Sequence, residues 1–351
     1  MTDDILFERR GAAGIVTLNR PKALNAVTHA MVLALRAQLD LWANDDAVTR
    51  IVVTAAGDRA FSAGGDIRAL YDLGKAGQHD DALQFWRDEY PLNAAIKNYR
   101  KPYVALIDGI VMGGGVGVSV HGSHRVAGDR FSFAMPEVGI GFFPDVGATW
   151  FLPRMPGELG TYCALTGERF GIGDAVGSGI ATHRAPSARF AALLEGLSGT
   201  VSVDAVLAAF SEPAEQGPIK QRKATIDRVF AGDMVENILA ALDREGASGS
   251  GDAEWARKTS ATMRAKSPLS LKLALAQVRR GKTWDFETCM RMEFRIVSRV
   301  IHGHDFYEGV RAVIVDKDNR PRWQPATLAD VGEADVERHF APLRDAELVL
   351  P

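Results

Sequence analysis

Apolar positions recur along this chain in two rhythms, and the change from one to the other marks out its elements. Unbroken apolar runs at Gly14 to Leu18 (GIVTL), Ile51 to Thr54 (IVVT) and Tyr103 to Ile107 (YVALI) predict short buried strands. Between the first two, Met31, Val32, Leu35, Leu39 and Trp42 fall on one face at helical spacing, which predicts a helix from Thr28 to Trp42. Asn19 to Ala26 reads as a loop, given Pro21 and its polar neighbours. Ala55 to Asp66 (AAGDRAFSAGGD) is a glycine-rich loop after a strand, and helical segments cover roughly His79 to Tyr99. Strand–loop–helix units in this order predict an α/β core with its loops gathered on one side.

The pattern changes after about residue 185. Residues 186 to 245 are alanine-rich and helical, without a convincing strand, and Gly246 to Asp252 (GASGSGD) reads as a flexible linker or exposed loop. Ser267-Pro268 reads as an N-cap followed by a proline at the first helical position, opening a helix through about Arg280. A further helix, Asp285 to Ile301, sets Phe286, Met290, Phe294 and Val297 on one face. The expected organisation is a core over residues 1–185 and a mainly helical region over 186–351. There is no solenoid-type repeat and no low-complexity tract.

Composition narrows the class without choosing within it. With 351 residues the chain exceeds one typical domain. Hydrophobic residues at 46% and charged ones at 24% suit a globular protein with a full core. The 41 basic and 44 acidic side chains leave a net charge of −3, no field for nucleic acid or an anionic membrane. Two cysteines, Cys163 and Cys289, argue against a disulfide framework or a cysteine-based zinc site and read as core thiols. No run of about 18 apolar residues predicts a membrane span. The opening MTDDILFERR has neither an apolar h-region nor an Arg/Ser-rich amphipathic leader, so the expectation is a cytoplasmic enzyme.

The chemistry concentrates between Gly109 and Gly157. Gly113, Gly114 and Gly115 follow an apolar strand, and a glycine turn into a helix leaves backbone N–H groups free for an oxygen that turns negative during reaction. No Gly-Lys-Ser/Thr follows, and Val118 breaks the dinucleotide-binding pattern, so the triple glycine is no phosphate loop. Glu137 (MPEVG) and Asp145 (FFPDVG) stand among apolar and glycine residues, where a carboxyl tends toward a raised pKa and acid/base or nucleophilic work. Ser119 and His121 are two apart on an expected helix, so their side chains diverge, and the nucleophile-elbow pattern fails at His121. His121 and His124 read as helix-end residues rather than metal ligands, and Asp129-Arg130 as a turn. Taken alone, Glu89 would be a solvated helix charge; Lys22 and Arg68 could meet phosphates, although isolated basic residues are usually just solvated.

Five segments carry a family pattern: RPKALNA, AAGDRAFSAGGDIRALY, KPYVALIDGIVMGGGVG, FAMPEVGIGFFPDVGATWFLPR and EGVRAVIVDKDNRPRW. Together they resemble the enoyl-CoA hydratase/isomerase (crotonase) superfamily from about Phe7 to the C-terminus, most densely over residues 57 to 167. The resemblance is nearest in the branch that hydrolyses 3-hydroxyisobutyryl-CoA, the thioester of valine breakdown. It implies a spiral of ββα units with a helical C-terminal region and a coenzyme A thioester bound between them. The oxyanion hole would fall on the N–H groups of Gly65 and Gly114. Lys22, Leu24, Ala63, Asp66 and Ile67 would line the coenzyme A site, with the Ala63 backbone near the adenine. Glu89, Glu137 and Asp145 would surround the acyl group. No metal or redox cofactor is implied, and homo-oligomers, often trimers, are common in the superfamily.

Two departures bear on the reaction. Hydratases of the family carry a glutamate two residues after the triple glycine, where this chain has Gly117, and typically a glycine where it has Asp145. Hydration needs two carboxylates to hold and split one water, so the loss at 117 speaks for thioester hydrolysis. The alternatives are an enoyl-CoA hydratase or isomerase and a silent CoA-thioester binding protein. Residues 186 to 252 match no motif of the family, which leaves their contacts with coenzyme A open.

Overall fold

The computed structural model describes residues 3–350. Among them are strands β1 (Ile5–Arg10), β2 (Ala13–Leu18), β3 (Arg50–Ala55), β4 (Ala60–Ser62), β5 (Tyr103–Ile107), β6 (Ile110–Met112), β7 (His124–Ala127), β8 (Ser132–Ala134) and β9 (His183–Arg184). The large sheet has the order β1-β2-β3-β5-β7-β9, parallel except for the β1–β2 pair, and β4-β6-β8 form a second, wholly parallel sheet. From β3 onward, odd-numbered strands join the large sheet and even-numbered ones the small sheet, with helices between. That alternation is the α/β spiral of ββα turns of the crotonase fold.

The large sheet is buried on both faces. Ile51, Val53, Tyr103 and Ala105 face the main core, while Val52, Val104 and Leu106 face Leu193, Leu197, Val206 and Leu207 of helices Phe190–Ser198 and Val203–Phe210. Burial on both faces turns the usual alternation into an unbroken apolar run, which is why β2, β3 and β5 are visible in the sequence. Strands of two to four residues, such as β4, β6 and β9, are too short to carry that signal.

Helix α1 (His29–Ala43) buries all five residues expected of it and is capped by Thr28 Oγ1, which accepts from Met31 N at 3.2 Å. Ser267 Oγ accepts from Ser270 N at 3.1 Å and starts helix Pro268–Gly281, while Asp285 caps Phe286–Val300. Both cysteines are buried thiols. Helices α2 (Ile67–Lys75) and α3 (His79–Lys97) follow β4, and α4 (Gly114–Gly117) is a single turn after β6.

Several expectations need correction. Of the two readings of residues 246–252, the exposed loop holds for 248–251, whereas helix Val235–Ala247 runs through Gly246 and Asp252 is tied down, accepting from Thr225 Oγ1 at 2.6 Å and Arg222 at 3.1 Å. The loop Asn19–Ala26 contains a tight turn, Pro21–Ala23, tied down by buried Asn25, whose side chain donates to Ala56 O and Ala60 O at 2.9 Å each. Ser119 and His121 are not helical, because Gly-Gly-Val-Gly sustains only one turn before the chain leaves the helix. His124 lies in β7, with its Nε2 3.0 Å from Asp204, rather than at a helix end.

The C-terminal region packs hard against the turn that begins at Glu137. A methyl group on Gly309, in helix His304–Val310, would stand 2.6 Å from Ile140 Cα. In an open helix alanine is favoured over glycine by roughly 0.5–1 kcal/mol. Here backbone must move to admit it, at about 1–3 kcal/mol. Gly309→Ala therefore lowers the urea midpoint; a raised midpoint would mean that the two segments are loosely packed.

Candidate active site

Three parallel strands place the site. In the small sheet Ala60 pairs with Ile110 and Ile110 with Ser132, while Met112 pairs with Ala134, so the three strands end side by side. Their continuations are Ala63-Gly64-Gly65, Gly113-Gly114 and Met135-Pro136-Glu137. Gly113 turns the chain from β6 into α4 with φ 46°, a conformation cheap only for glycine. Gly114 opens α4, where an N–H has no intrahelical acceptor. Val27 donates to Gly64 O at 2.8 Å and accepts from Asp66 N at 2.9 Å, which leaves the Gly65 N–H outside that bridge. The two glycines meet closely: a methyl group on Gly114 would lie 3.1 Å from Gly65 N and 2.8 Å from Glu89 Oε1.

Three carboxyls face this meeting point. Glu89, only 1% exposed, comes from α3 and is not the solvated charge that its neighbours Arg87 and Asp88 suggest. It shares a helical face with Phe85, Trp86 and Asn93, all buried, and that spacing is the signal that could have placed it. Glu137, 6% exposed, brings its Oε1 within 3.4 Å of a methyl group placed on Gly113. Asp145, 5% exposed, accepts from the Tyr90 hydroxyl at 3.0 Å. Among the described residues, Glu89 Oε1 and Glu137 Oε2 have no hydrogen-bond donor.

Burial governs their protonation. It pushes the Glu137 and Glu89 carboxyls well above the usual range, with the Asp145 charge adding to both. Burial also lifts Asp145 to about 7, against the opposing pull of hydrogen bonds from Tyr90 and Trp86. Carboxyls that hold protons near neutrality can act as acids, bases or nucleophiles.

The cleft around them has a volume of about 730 Å³. Leu24, Ala63, Gly65, Asp66, Ile67, Glu89, Gly114, Glu137 and Asp145, all candidates from the sequence, line it, and so does Arg68. Lys22 does not; it is exposed on the turn beside Ala23. Arg68 is paired with Asp72 at 2.9 Å. The sequence reading missed Trp86 and Phe142, whose rings stack 5.6 Å apart, and Lys266, Val313, Ile314 and Asn319 from the C-terminal region. Burial lowers the Lys266 ammonium, which no local pattern announces.

Gly117 lies deeper. A methyl group there would stand 2.8 Å from Asn93 Nδ2 and 2.9 Å from Val146 Cβ. The volume a second acid would need is thus filled by α3 and by the residue after Asp145. His121 is structural: its Nε2 is 2.6 Å from Val146 O, and burial lowers its pKa to about 3. A carbonyl can only accept, so the neutral ring carries its proton on Nε2. Among the described residues no group of three or more His, Cys, Asp or Glu side chains could hold a metal ion, and no helix is long and apolar enough to cross a membrane.

A ββα spiral with paired backbone donors and buried carboxyls over one cleft defines an enzyme of the crotonase class. Comparison with known proteins agrees: a family model described as enoyl-CoA hydratase/isomerase matches residues 13–340, and the chain belongs to that family. A relative from Danio rerio named 3-hydroxyisobutyryl-CoA hydrolase, mitochondrial, is 44% identical over 99% of this chain and 92% of its own length. Among solved structures, one titled carnitinyl-CoA dehydratase from Mycobacterium thermoresistibile has a TM-score of 0.92 at 44% identity, covering 99% of both chains. Another, titled enoyl-CoA hydratase from Rhodobacter sphaeroides 2.4.1, has a TM-score of 0.91 at 39% identity over 99% of this chain and 100% of its own.

The raised Asp145 pKa has a consequence for stability. The folded state holds a proton that the unfolded chain releases near pH 4, so ionising Asp145 opposes folding as pH rises from about 4 to about 7. Asp145→Asn removes that cost. The variant is expected to be more stable than its parent at pH 8 by about 4 kcal/mol at most, with the gain shrinking toward pH 4.5. Urea titrations at both values check it, and an equal effect at both would contradict a raised pKa.

Proposed function

We propose that the protein hydrolyses 3-hydroxyisobutyryl-CoA to 3-hydroxyisobutyrate and free coenzyme A, a thioesterase step of valine catabolism. The observation that carries the reading is the buried acid Glu137 beside the strand ends bearing Gly65 and Gly114, with no room for a further acid at Gly117. The relatives' names point the same way. The hydratase and dehydratase titles of the structural neighbours do not, and the filled volume at Gly117 favours hydrolysis over them.

In this reading the thioester carbonyl lies between the N–H groups of Gly65 and Gly114. The Glu137 carboxylate attacks the carbonyl carbon, and the displaced electron pair goes to the oxygen those donors hold. Collapse breaks the C–S bond, coenzyme A leaves as a thiolate and takes up a proton, and a mixed anhydride remains. Water then cleaves the anhydride and restores Glu137. In the direct variant Glu137 takes a proton from the attacking water instead. Asp145 and Glu89 orient the acyl hydroxyl and assist proton transfer. The C-terminal region completes the site through Lys266, Val313, Ile314 and Asn319, with Leu24, Ala63, Asp66 and Ile67 toward coenzyme A.

No metal or redox group has a part in this scheme. A silent binding protein is the less economical reading, since it gives three costly buried carboxyls no task. Thiol release from 3-hydroxypropionyl-CoA measures how the site treats an acyl group one methyl smaller, a difference worth roughly 10–200-fold. Relatives are named mitochondrial; cell fractionation decides between that address and the cytoplasm proposed from the sequence. Light scattering tests the proposed homo-oligomer.

Glu137→Gln is expected to lower kcat by at least about a thousandfold while acyl-CoA still binds. A folded variant that kept most of its kcat would remove Glu137 from the reaction. A single turnover in oxygen-18 water separates the routes, since label in Glu137 requires the anhydride. The parent enzyme should release thiol from 3-hydroxyisobutyryl-CoA and leave the double-bond absorbance of crotonyl-CoA almost unchanged. Rapid loss of that absorbance without thiol would restore the hydratase reading. Because a carboxylate must act, activity should fall as pH drops through the raised pKa of Glu137.

A further inference from the structure

We infer that Glu293, in helix Phe286–Val300, is the positioning residue that holds Asp145 in the cleft through the strained turn between them. Glu293 sits on the buried face of its helix among Met290, Phe294 and Val297 and is 0% exposed. A carboxyl in that place needs partners, and its two oxygens find them far away in sequence. Oε2 accepts from Gly147 N at 2.7 Å and Oε1 from Thr149 N at 2.8 Å. The first donor lies in the turn directly after Asp145, the second in the short helix Ala148–Phe151 that follows it.

That turn would not hold its shape alone. Val146 has φ 53°, a left-handed conformation that a β-branched side chain adopts only under constraint, and Gly147 follows at φ 89°. Val146 also fills the space beside Gly117, so the unusual backbone and the missing side chain at 117 are parts of one arrangement. Other restraints on the turn are neutral: the His121 ring on Val146 O at 2.6 Å, and Gln277 Nε2, which donates to Pro144 O at 2.5 Å. Among these groups Glu293 alone holds two backbone donors, one on either side of Ala148. Without it the Gly147 and Thr149 N–H groups lose their acceptor in a buried place, and Val146 can relax to extended backbone. Either change moves the Asp145 carboxyl relative to Tyr90 and Glu89. Burial raises the Glu293 pKa to about 8, and its charge adds to the rise at Glu89 and Tyr90, so the groups form one electrostatic unit.

The inference rests on the acyl-site role proposed for Asp145, and a double-mutant cycle on the full chain tests the two separately. Thiol release from 3-hydroxyisobutyryl-CoA is measured for the parent, Glu293→Gln, Asp145→Asn and the double variant. Glu293→Gln is expected to lower kcat at least about tenfold with KM within about threefold. In the Asp145→Asn background it should cost less than about twofold, because a residue acting through Asp145 has nothing further to disturb. Ile296→Ala, a cavity in the same helix, should match its loss of melting temperature without matching its loss of kcat. Glu293→Asp, which keeps the carboxyl but withdraws the oxygens by one methylene, serves the same cycle if the glutamine variant does not fold. Unchanged kcat, additive losses in the cycle, or an equal loss in Ile296→Ala would each overturn the inference. If Asp145→Asn itself left kcat unchanged, the role of Asp145 would fall first and the positioning role with it.

Discussion

The parallel pairing of β4, β6 and β8 brings Gly65, Gly114 and Glu137 to one edge, and every other feature of the site is built against that edge. Each strand is only three or so residues long, so the sheet has little stability of its own. It is held because each short strand is tied by a brief connection to a longer one in the large sheet, whose two faces are both covered. A one-residue slip in β6 would turn Gly114 away from Gly65, since strand groups alternate in direction. The register of a nine-residue sheet thus depends on apolar packing spread over the whole chain.

Against that edge the protein places carboxyls in conditions that favour their neutral form. Moving a carboxylate out of water costs far more than one hydrogen bond returns, so such groups keep their protons. Glu89, Glu137, Asp145 and Glu293 all have raised pKa values, and no lysine or arginine among the described residues pairs with any of them. The aromatic wall of Phe85, Trp86, Phe142 and Phe306 keeps the dielectric low and supplies the apolar contact that offsets part of this cost. A site of this kind is less stable than an apolar one of the same shape, and the difference is available for chemistry.

The helices after residue 185 have two tasks. Phe190–Ser198 and Val203–Phe210 cover the outer face of the large sheet, whereas the later helices reach the cleft. Gln277 and Glu293 hold the backbone around Asp145, and Gly309 lets helix His304–Val310 lie flat on the turn at Glu137. The family pattern at EGVRAVIVDKDNRPRW is explained by that contact together with Val313, Ile314 and Asn319 in the cleft wall.

Where short-range physics decides, the sequence was a sufficient guide. The face of α1, the Ser267 cap, the apolar runs of β2, β3 and β5, and the glycine turns all follow from interactions within a few residues. The candidate acids Glu137 and Asp145 were legible because a charged residue between glycine, proline and aromatics contradicts its surroundings. Glu89 was harder to read: its neighbours Arg87 and Asp88 made it look solvated, and only its spacing from Phe85, Trp86 and Asn93 marks the buried face of α3. The strands β4, β6 and β8 are too short to show a period. The exclusion between Gly117 and Val146 joins residues 29 positions apart, and the bond from Gly147 to Glu293 spans 146. Contacts at that range leave no local trace, because nothing in the neighbouring residues is altered by a partner that arrives only when the chain has folded.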